Sequence, residues 1–314
     1  MAEIELEAEK LSDDDNLTNV EMSKEEIWLL KHLINKYNPK KIVEIGISAG
    51  GNTVNLLKWK DKDAQLFSID IAANWYRDKT KLSGFMADEV SEKDNFEIYR
   101  GYDYIDVYKE IGNDIDFIII DTVHTMPGEF LTFLTALPQL KDGCILILHD
   151  IHLNMKKFKN NKFGPYDNAA YCTGLLYAGL SSHEKFSLKT DRISNIGALV
   201  VDESTRDNVK DIFRLLCSQW YKFPHNLNFP EYCRFINEHY PQECSQLFER
   251  CLRLQKQNFD YNRNAKKNEK TDFSNELKNK NKEIQSLRKE NELIKSTVSW
   301  KVTKPLRYIS KLLK

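Results

Sequence analysis

The sequence lacks three features that would assign it to a compartment or to a class of partner. None of its six cysteines forms a Cys-x-x-Cys pair, so we expect reduced core thiols rather than a metal or redox motif. It contains no run of about eighteen apolar residues of the kind that crosses a membrane. Its formal net charge of −1 offers no excess of positive charge for nucleic acid. These absences predict a soluble cytoplasmic protein that does not bind nucleic acid.

Charged residues are concentrated at the two ends of the chain, with opposite signs. Residues 1–22 carry eight acidic side chains and one lysine, unlike the basic start of a secretory signal. Because this segment has no apolar periodicity, we predict that it is a disordered N-terminus. Residues 266–314 carry fourteen Lys or Arg against six acids, and such a basic end is suited to an anionic surface.

Between these ends, residues 23–202 alternate between short apolar runs and stretches long enough for a helix. A capping box at Ser23 and Glu26 starts a helix that stops at Asn38-Pro39. Seven apolar runs are strand candidates: Lys41–Ile45, Gln65–Ile69, Phe96–Tyr99, Ile115–Ile120, Cys144–Leu148, Phe186–Lys189 and Ile196–Val201. Apolar strands that alternate with helices are typical of a parallel sheet covered on both faces. The pattern predicts an α/β domain with a doubly wound, mainly parallel, seven-stranded sheet that binds ligands at the carboxyl ends of its strands.

The chain beyond residue 202 divides into three parts. Residues 203–258 show helical spacing and are predicted as a helical extension, residues 259–275 are predicted as a polar linker, and residues 276–314 as a coiled coil followed by a basic amphipathic tail. The heptad frame has Leu277, Ile284 and Asn291 at position a, and Phe273, Leu287 and Ile294 at position d, with Lys280 misplaced. The frame predicts a homodimer, which an Asn at position a favours. A single solvated helix is the alternative.

A glycine-containing loop follows the first predicted strand. It reads Glu44-Ile45-Gly46-Ile47-Ser48-Ala49-Gly50-Gly51, and glycines there let the backbone approach a ligand at a helix N-terminus. A dinucleotide fingerprint would need glycine at position 48, so Ser48 argues for a nucleoside cofactor without a pyrophosphate. Asp70, at the end of the second strand, is placed to accept hydrogen bonds from ribose hydroxyls. An ordinary strand-to-helix turn is the alternative interpretation of the loop alone.

Three segments together resemble the class I S-adenosylmethionine (SAM)-dependent methyltransferases. The glycine loop with Asn52-Thr53 looks like motif I of that group. Within it, Asp121-Thr122-Val123-His124 resembles the Asp-x-x-His element of a branch that modifies sugars and polysaccharides, and Lys141-Asp142-Gly143 followed by His149-Asp150 resembles the fifth strand of that branch. The chain departs from this pattern at Asp142 and Thr122, where glycine or proline is common. The resemblance covers roughly residues 24–202 and implies a Rossmann-like sheet.

The resemblance implies roles for the residues that bind the cofactor. Gly46 and Gly50 would contact the methionine end of SAM, with Glu44 supporting the loop. Asp70 would hold the ribose. Gly101 and Asp103, after the third strand, would border the adenine.

The acceptor side leaves alternatives open. Asp121, His124, His149 and Asp150 follow the fourth and fifth strands and face one crevice. His124 suits a general base that removes the proton of an attacking hydroxyl. The resemblance also implies a Mg²⁺ site at Asp121 and Asp150, with His149 as a neighbouring ligand, although an imidazole is a poor ligand for Mg²⁺. A purely structural His124 is the third alternative.

The C-terminal segment Ser299-Trp300-Lys301-Val302-Thr303-Lys304-Pro305-Leu306-Arg307 resembles a tail found behind coiled coils in bacterial glycosyltransferases and glycan methyltransferases. Basic residues with aliphatic anchors suit peripheral contact with the inner face of a membrane; a helix docked onto its own dimer is the alternative. The sequence therefore predicts a SAM-dependent O-methyltransferase acting on a sugar hydroxyl of a cell-surface polysaccharide or its precursor. A non-catalytic scaffold of a glycan-assembly complex and an NAD-type oxidoreductase are the competing interpretations.

Overall fold

The computed structural model describes residues 3–91, 93–153, 171–190, 193–220, 224 and 227–296, with the backbone alone for 261–277, 279 and 294. The chain divides into two units, residues 1–255 and 256–314. Within the described residues, no helix is both long enough and apolar enough to cross a lipid bilayer.

A sheet of eight strands, counted over the described residues, forms the centre of the first unit. The strands are β1 (Ile4–Leu6), β2 (Lys41–Ile45), β3 (Gln65–Asp70), β4 (Phe96–Arg100), β5 (Ile115–Ile120), β6 (Leu140–His149), β7 (Lys185–Leu188) and β8 (Ile196–Val200). They lie in the order β1-β7-β8-β6-β5-β2-β3-β4. Strands β2 to β6 pair in parallel, whereas β8 is antiparallel to both β6 and β7. The predicted doubly wound, mainly parallel sheet is confirmed.

Helices cover the sheet and extend the chain beyond it. They are α1 (Lys24–Tyr37), α2 (Gly51–Trp59), α3 (Phe85–Asp88), α4 (Tyr104–Ile111), α5 (Gly128–Ala136), α6 (Cys172–Gly179), α7 (Glu203–Asp207), α8 (Val209–Leu216), α9 (Phe229–His239) and α10 (Gln242–Ser296), with a 3₁₀ turn at Leu137–Gln139. The Ser23 and Glu26 capping box starts α1. The helix then buries Leu29, Leu30 and Leu33 against Ile42, Ile119 and Ile147 of the sheet in one core. Burial of this apolar face stabilises the helix far more than its own propensity does.

The order of the strands fixes where a ligand can bind. From β2 the chain moves outward to β3 and β4, and then returns to place β5 on the other side of β2. The connections after β2 and after β5 therefore leave in opposite directions and open a crevice at the carboxyl ends of these two strands. The glycine loop follows β2 and Asp121 follows β5, so both lie at this switch point.

The N-terminal segment differs from the prediction of disorder over residues 1–22. Ile4–Leu6 pairs in parallel with β7 and becomes the eighth strand. The buried carboxylate of Asp15 accepts hydrogen bonds from Lys31 Nζ at 2.9 and 2.8 Å and from Trp59 Nε1 at 2.8 Å. The sequence does not show these partners because they belong to α1 and α2, far along the chain.

The C-terminal segment differs from the predicted linker over residues 259–275. Helix α10 runs without interruption from Gln242 to Ser296, because polar residues such as Asn, Lys and Glu are compatible with a solvated helix. The heptad segment through Ser296 is part of this helix. The tail residues 297–314 lie outside the described residues.

Candidate active site

The glycine loop turns sharply between β2 and α2. Gly46 and Gly50 have φ angles of +96° and +92°, and Ser48 between them has a φ of +53°. An ideal Cβ on Gly46 would lie 1.7 Å from the carbonyl oxygen of Asp121, so glycine is required there both for its conformation and for its small size. The loop therefore passes directly beside the residue that follows β5, and this contact joins the two halves of the crevice.

Asp70 holds this loop in place. Its Oδ2 accepts hydrogen bonds from the backbone N–H groups of Ile47 and Ser48, at 3.1 and 3.0 Å. Its Oδ1 accepts from Ala72 N at 2.8 Å. A carboxylate has about four lone-pair sites, so capacity remains for a ribose hydroxyl. Asp70 therefore has a role that the sequence did not reveal, because it fixes the loop as well as standing beside the ligand crevice.

Glu44 lies fully inside the protein beneath the loop. One carboxylate oxygen accepts hydrogen bonds from Thr53 Oγ1 and Ser68 Oγ, each at 2.7 Å. Burial raises the pKa of Glu44 to about 7, against the effect of these two hydrogen bonds. Glu44 thus ties β2 to α2 and β3, which agrees with the loop-supporting role that the resemblance implies.

The two residues expected near the adenine have different surroundings. Gly101 has a φ of +81° and donates its N–H to Asp70 O at 2.8 Å, so it lies beside the ribose-binding candidate. Asp103 caps α4 by accepting from Tyr104 N at 2.7 Å, and it accepts from Tyr232 Oη at 2.6 Å. Burial raises the pKa of Asp103 despite these bonds. The Asp103 carboxylate is thus occupied by the fold and anchors the helical extension to α4.

Asp121, His124 and Asp150 come together at the ends of β5 and β6. His124 Nε2 lies 3.5 Å from Asp121 Oδ1 and 3.3 Å from Asp150 Oδ2. One ligand atom from each of the three residues falls within 4.8 Å of the others, and the three side chains are partly exposed. Two carboxylates and an imidazole in this arrangement can hold either a proton or a divalent cation.

The backbone at two of these residues adopts a conformation that is uncommon outside glycine. His124 and Asp150 have φ angles of +55° and +59°. His and Asp occur in the left-handed region more often than most residues, and such strain is found preferentially at functional sites. Asn195 contributes here as well, because its amide donates to Asp150 Oδ1 and its Oδ1 accepts from His152 N.

Glu129, which no sequence pattern singled out, contacts the Nδ1 side of the His124 ring and its backbone N–H. Its side chain is completely buried, and Oε1 lies 3.2 Å from His124 Nδ1 and accepts from His124 N at 2.7 Å. The carboxylates of Glu129, Asp121 and Asp150 raise the pKa of His124 to about 9, although burial opposes this. The available signal was a single charged residue in the mostly apolar run Gly128-Glu129-Phe130-Leu131-Thr132-Phe133-Leu134.

His149 lies below this cluster. It is buried, with Nδ1 3.3 Å from Asp121 Oδ1 and Nε2 3.6 Å from Glu26 Oε2. These carboxylates hold the pKa of His149 well above its usual range, against the effect of burial. The sequence prediction paired these two acids with His124 as catalytic residues and with His149 as metal ligands. In the structure Asp121 and Asp150 lie within 3.7 Å of both imidazoles, with His124 partly exposed and His149 buried.

The N-terminal segment covers part of the glycine loop. Glu21 accepts hydrogen bonds from Ser48 Oγ and Tyr76 Oη, both at 2.8 Å, and Arg77 Nη2 lies 3.4 Å from the same carboxylate oxygen. Trp75 Nε1 donates to Ser48 Oγ at 3.2 Å. Ser48 is therefore the centre of a polar contact between the N-terminal segment and the loop after β3, which the expectation of N-terminal disorder could not anticipate.

Comparison with known proteins identifies the domain that contains these features. Residues 43–151 match a family model described as a methyltransferase domain. This match supports the prediction of a methyltransferase domain for the segment that holds the glycine loop, Asp70, Asp121 and Asp150. No curated protein sequence matches the chain.

Solved structures with a similar fold include two O-methyltransferases. One is TomG from Streptomyces achromogenes, involved in tomaymycin synthesis and solved in complex with SAM; it is 18% identical, with a TM-score of 0.43 over 59% of this chain and 83% of its own. The other is the O-methyltransferase from Bacillus cereus in complex with SAH. It is also 18% identical, with a TM-score of 0.44 over 59% of this chain and 85% of its own.

Proposed function

We propose that this chain transfers the methyl group of SAM to a hydroxyl group of a sugar in a cell-surface polysaccharide or its precursor. The observation that supports transfer to oxygen is the contact between Gly46 and the backbone of Asp121. This contact places the proton-accepting groups of the Asp121, His124 and Asp150 cluster next to the loop expected to hold the methionine end of SAM. The sugar acceptor is proposed from the resemblance of Asp121-x-x-His124 and His149-Asp150 to the sugar-modifying branch.

The reaction requires a base that takes up the proton of the acceptor hydroxyl. The acceptor oxygen attacks the methyl carbon, the bond between that carbon and the sulfonium sulfur breaks, and its electron pair stays on sulfur to give S-adenosylhomocysteine. The hydroxyl proton must leave as the new C–O bond forms. Nε2 of His124 is the proposed acceptor, because Nδ1 faces Glu129 and Nε2 faces the crevice side of the cluster.

The raised pKa of His124 decides when it can act as a base. With a pKa of about 9, only about 1% of the imidazole is neutral at pH 7. Four carboxylates, those of Glu26, Asp121, Glu129 and Asp150, surround His124 and His149. Even with both imidazoles protonated and all four acids ionised, the cluster carries a charge of −2. This excess of negative charge favours uptake of a cation.

The two carboxylates of this donor set suit a divalent cation such as Mg²⁺, although an imidazole is a poor ligand for that ion. Asp121 and Asp150 would hold it, with His124 as the third donor in place of the His149 of the sequence prediction. When bound, the ion would polarise the acceptor hydroxyl and lower its pKa. The positive charge would also favour the neutral form of His124, because metal binding releases protons from its surroundings. Base catalysis and metal assistance are thus two uses of one cluster.

Three measurements test the cofactor and the acceptor. Calorimetry with SAM, S-adenosylhomocysteine and NAD should show binding of the first two; binding of NAD without SAM would favour an oxidoreductase. Transfer of an isotopically labelled methyl group from SAM should then be measured with nucleotide sugars and isolated surface glycans. A chain that binds SAM but methylates none of them, together with unchanged glycan masses in cells lacking the gene, would favour a scaffold or another acceptor.

Chelation separates the two mechanisms. If the cation is required, transfer falls on adding a chelator and returns with Mg²⁺ or Mn²⁺. If His124 acts alone, the chelator has no effect and His124→Ala abolishes transfer.

The proposed membrane contact of residues 297–314 is tested by vesicle flotation. Equal flotation of the full chain and of a chain ending at residue 296 would contradict it.

A further inference from the structure

The last part of helix α10 exposes an apolar stripe with an ordered arrangement of charges on both sides. Ile284 and Leu287, which occupy positions a and d of the heptad frame, are 46% and 57% exposed. Removing apolar side chains of this kind from water is favourable, so the stripe favours a partner. Coiled-coil partners cover positions a and d by inserting these side chains into holes of the facing helix.

The charges beside the stripe select the partner. Position g is occupied by Glu276, Glu283 and Glu290, whereas position e is occupied by Asn281, Arg288 and Lys295. All of these residues whose side chains are described are exposed. Every g position is therefore acidic, and the two last e positions are basic.

In a parallel pair of helices, the g residue of one chain lies next to the e residue of the following heptad in the other. Glu283 then faces Arg288 of a second copy, and Glu290 faces Lys295, twice each because the pair is symmetric. In an antiparallel pair, g faces g and e faces e, which would bring glutamates together and basic residues together. Like charges at these positions are destabilising.

Asn291 supports the same arrangement. It occupies position a, so the two copies of Asn291 meet across the axis only when the helices are parallel and in register. In that arrangement each amide can donate to the other, whereas a shift of register would place an amide against Ile284 or leave it without a partner. The pair of Asn291 side chains thus fixes the register of the parallel arrangement that the charges favour.

We propose that residues 276–296 form a parallel, in-register coiled coil with a second copy of this chain. The apolar stripe supplies the attraction, the paired glutamates and basic residues set the orientation, and Asn291 sets the register. Because the charged pairs are exposed, their contribution weakens as salt increases. The segment is short, so the association is expected to be reversible and dependent on concentration.

Charge reversal in the full-length chain tests the partner. Sedimentation should give twice the protomer mass of 36.8 kDa for the wild type at micromolar concentrations. Glu283→Lys with Glu290→Lys should weaken self-association about tenfold or more at low salt, because four attractive pairs become repulsive. Mixing this variant with the Arg288→Glu, Lys295→Glu variant should restore a mixed dimer. A monomeric wild type, or a mixture that stays monomeric, would overturn the proposal.

A matched single substitution excludes a general effect of charge. Glu290→Lys and Glu292→Lys change the same residue type on the same helix, but position 292 is a b position that points away from the stripe. The first should weaken association and the second should not. Equal effects would show that net charge, rather than the g and e pairing, controls assembly.

Crosslinking tests the orientation. The six native cysteines all lie before residue 256, so a cysteine introduced at position 291 or 292 is the only thiol in residues 256–314. Asn291→Cys should form a disulfide between two chains in a glutathione buffer, because equivalent a positions meet in a parallel pair. Glu292→Cys is the control and should remain reduced. Crosslinking of both variants, or of neither, would contradict the parallel register.

Discussion

Gly46 and Asp121 are in contact through their backbones, since an ideal Cβ on Gly46 would lie 1.7 Å from the Asp121 carbonyl oxygen. Gly46→Ala should therefore push the ends of β2 and β5 apart. The left-handed φ of +96° adds about 1–2 kcal/mol. We expect a loss of about 3 kcal/mol or more in the free energy of unfolding, together with loss of SAM binding.

Gly143 provides the control for this prediction. Its φ of +86° is similar, but nothing lies within 4 Å of the Cβ that alanine would add. Gly143→Ala should thus show the conformational strain of about 1–2 kcal/mol alone, with unchanged SAM affinity. Urea unfolding and calorimetry compare the two variants; if both lose the same stability and neither loses SAM, the close approach of Gly46 to Asp121 is not what the loop requires.

The buried carboxyl of Glu44 should make stability depend on pH. Its pKa is about 7 in the folded protein against 4.5 as the ordinary value. The folded state binds its proton more tightly, so the contribution of Glu44 to stability is greatest below pH 4.5 and is lost as the pH rises through about 7. The full difference is about 3 kcal/mol.

Glu44→Gln removes this titration and keeps an oxygen that can accept from Thr53 and Ser68. The variant should gain stability relative to the wild type as the pH rises from 5 to 8, as measured by urea unfolding at each pH. Parallel stability curves for the two proteins would show that Glu44 is ionised throughout this range.

Glu129 should control the protonation of His124. Glu129→Gln removes the nearest buried charge, so the pKa of His124 should fall from about 9 toward 6.5. The stability that the raised pKa contributes is present below pH 6.5 and is lost as the pH rises through about 9; in the variant this loss should occur at lower pH. An NMR titration of the His124 ring measures the shift directly.

The same variant bears on the reaction. If neutral His124 is the base, the rising limb of the pH–rate profile should move to lower pH in Glu129→Gln. Glu97→Gln, at the exposed position of the edge strand β4, is the control and should leave the profile unchanged. A Glu129→Gln profile that loses amplitude without moving would assign Glu129 a purely structural role.

Asp15 should anchor the N-terminal segment. Its carboxylate is 1% exposed and binds Lys31, Trp59 and the N–H of Ser12, and these bonds hold its pKa below the usual value despite burial. Asp15→Ala should lower the free energy of unfolding by about 3 kcal/mol, since Lys31 and Trp59 lose their acceptor. Asp13→Ala, at an exposed position two residues earlier, should change it by less than about 0.5 kcal/mol.

Proteolysis provides a second test of whether Asp15 attaches the N-terminal segment. The Asp15→Ala variant should be cut within residues 1–22 faster than the wild type, because this segment loses its attachment to α1 and α2. Equal cleavage rates would mean that strand β1 and the contacts of Glu21 hold the segment without Asp15.

The sequence by itself determined the sheet, the glycine loop and the residues at the strand ends. Buried parallel strands are apolar throughout, and a strand-to-helix turn that must approach a ligand needs glycine, so both leave a local pattern. Asp121, His124 and Asp150 were found for the same reason, since each lies at or shortly after the end of an apolar run. The capping box of α1 is likewise a pattern of four adjacent residues.

Only the tertiary structure decided which of these groups act on one another. Glu129 lies near the start of α5 and turns back to His124, and Glu26 reaches His149 because α1 and β6 share one core. No local pattern in the sequence marks either contact. The acidic N-terminus looked disordered because its stabilising partners, Lys31, Trp59 and Ser48, lie in other elements. Local patterns report the backbone that a segment adopts, whereas the charge of a buried side chain depends on neighbours that only the folded chain brings together.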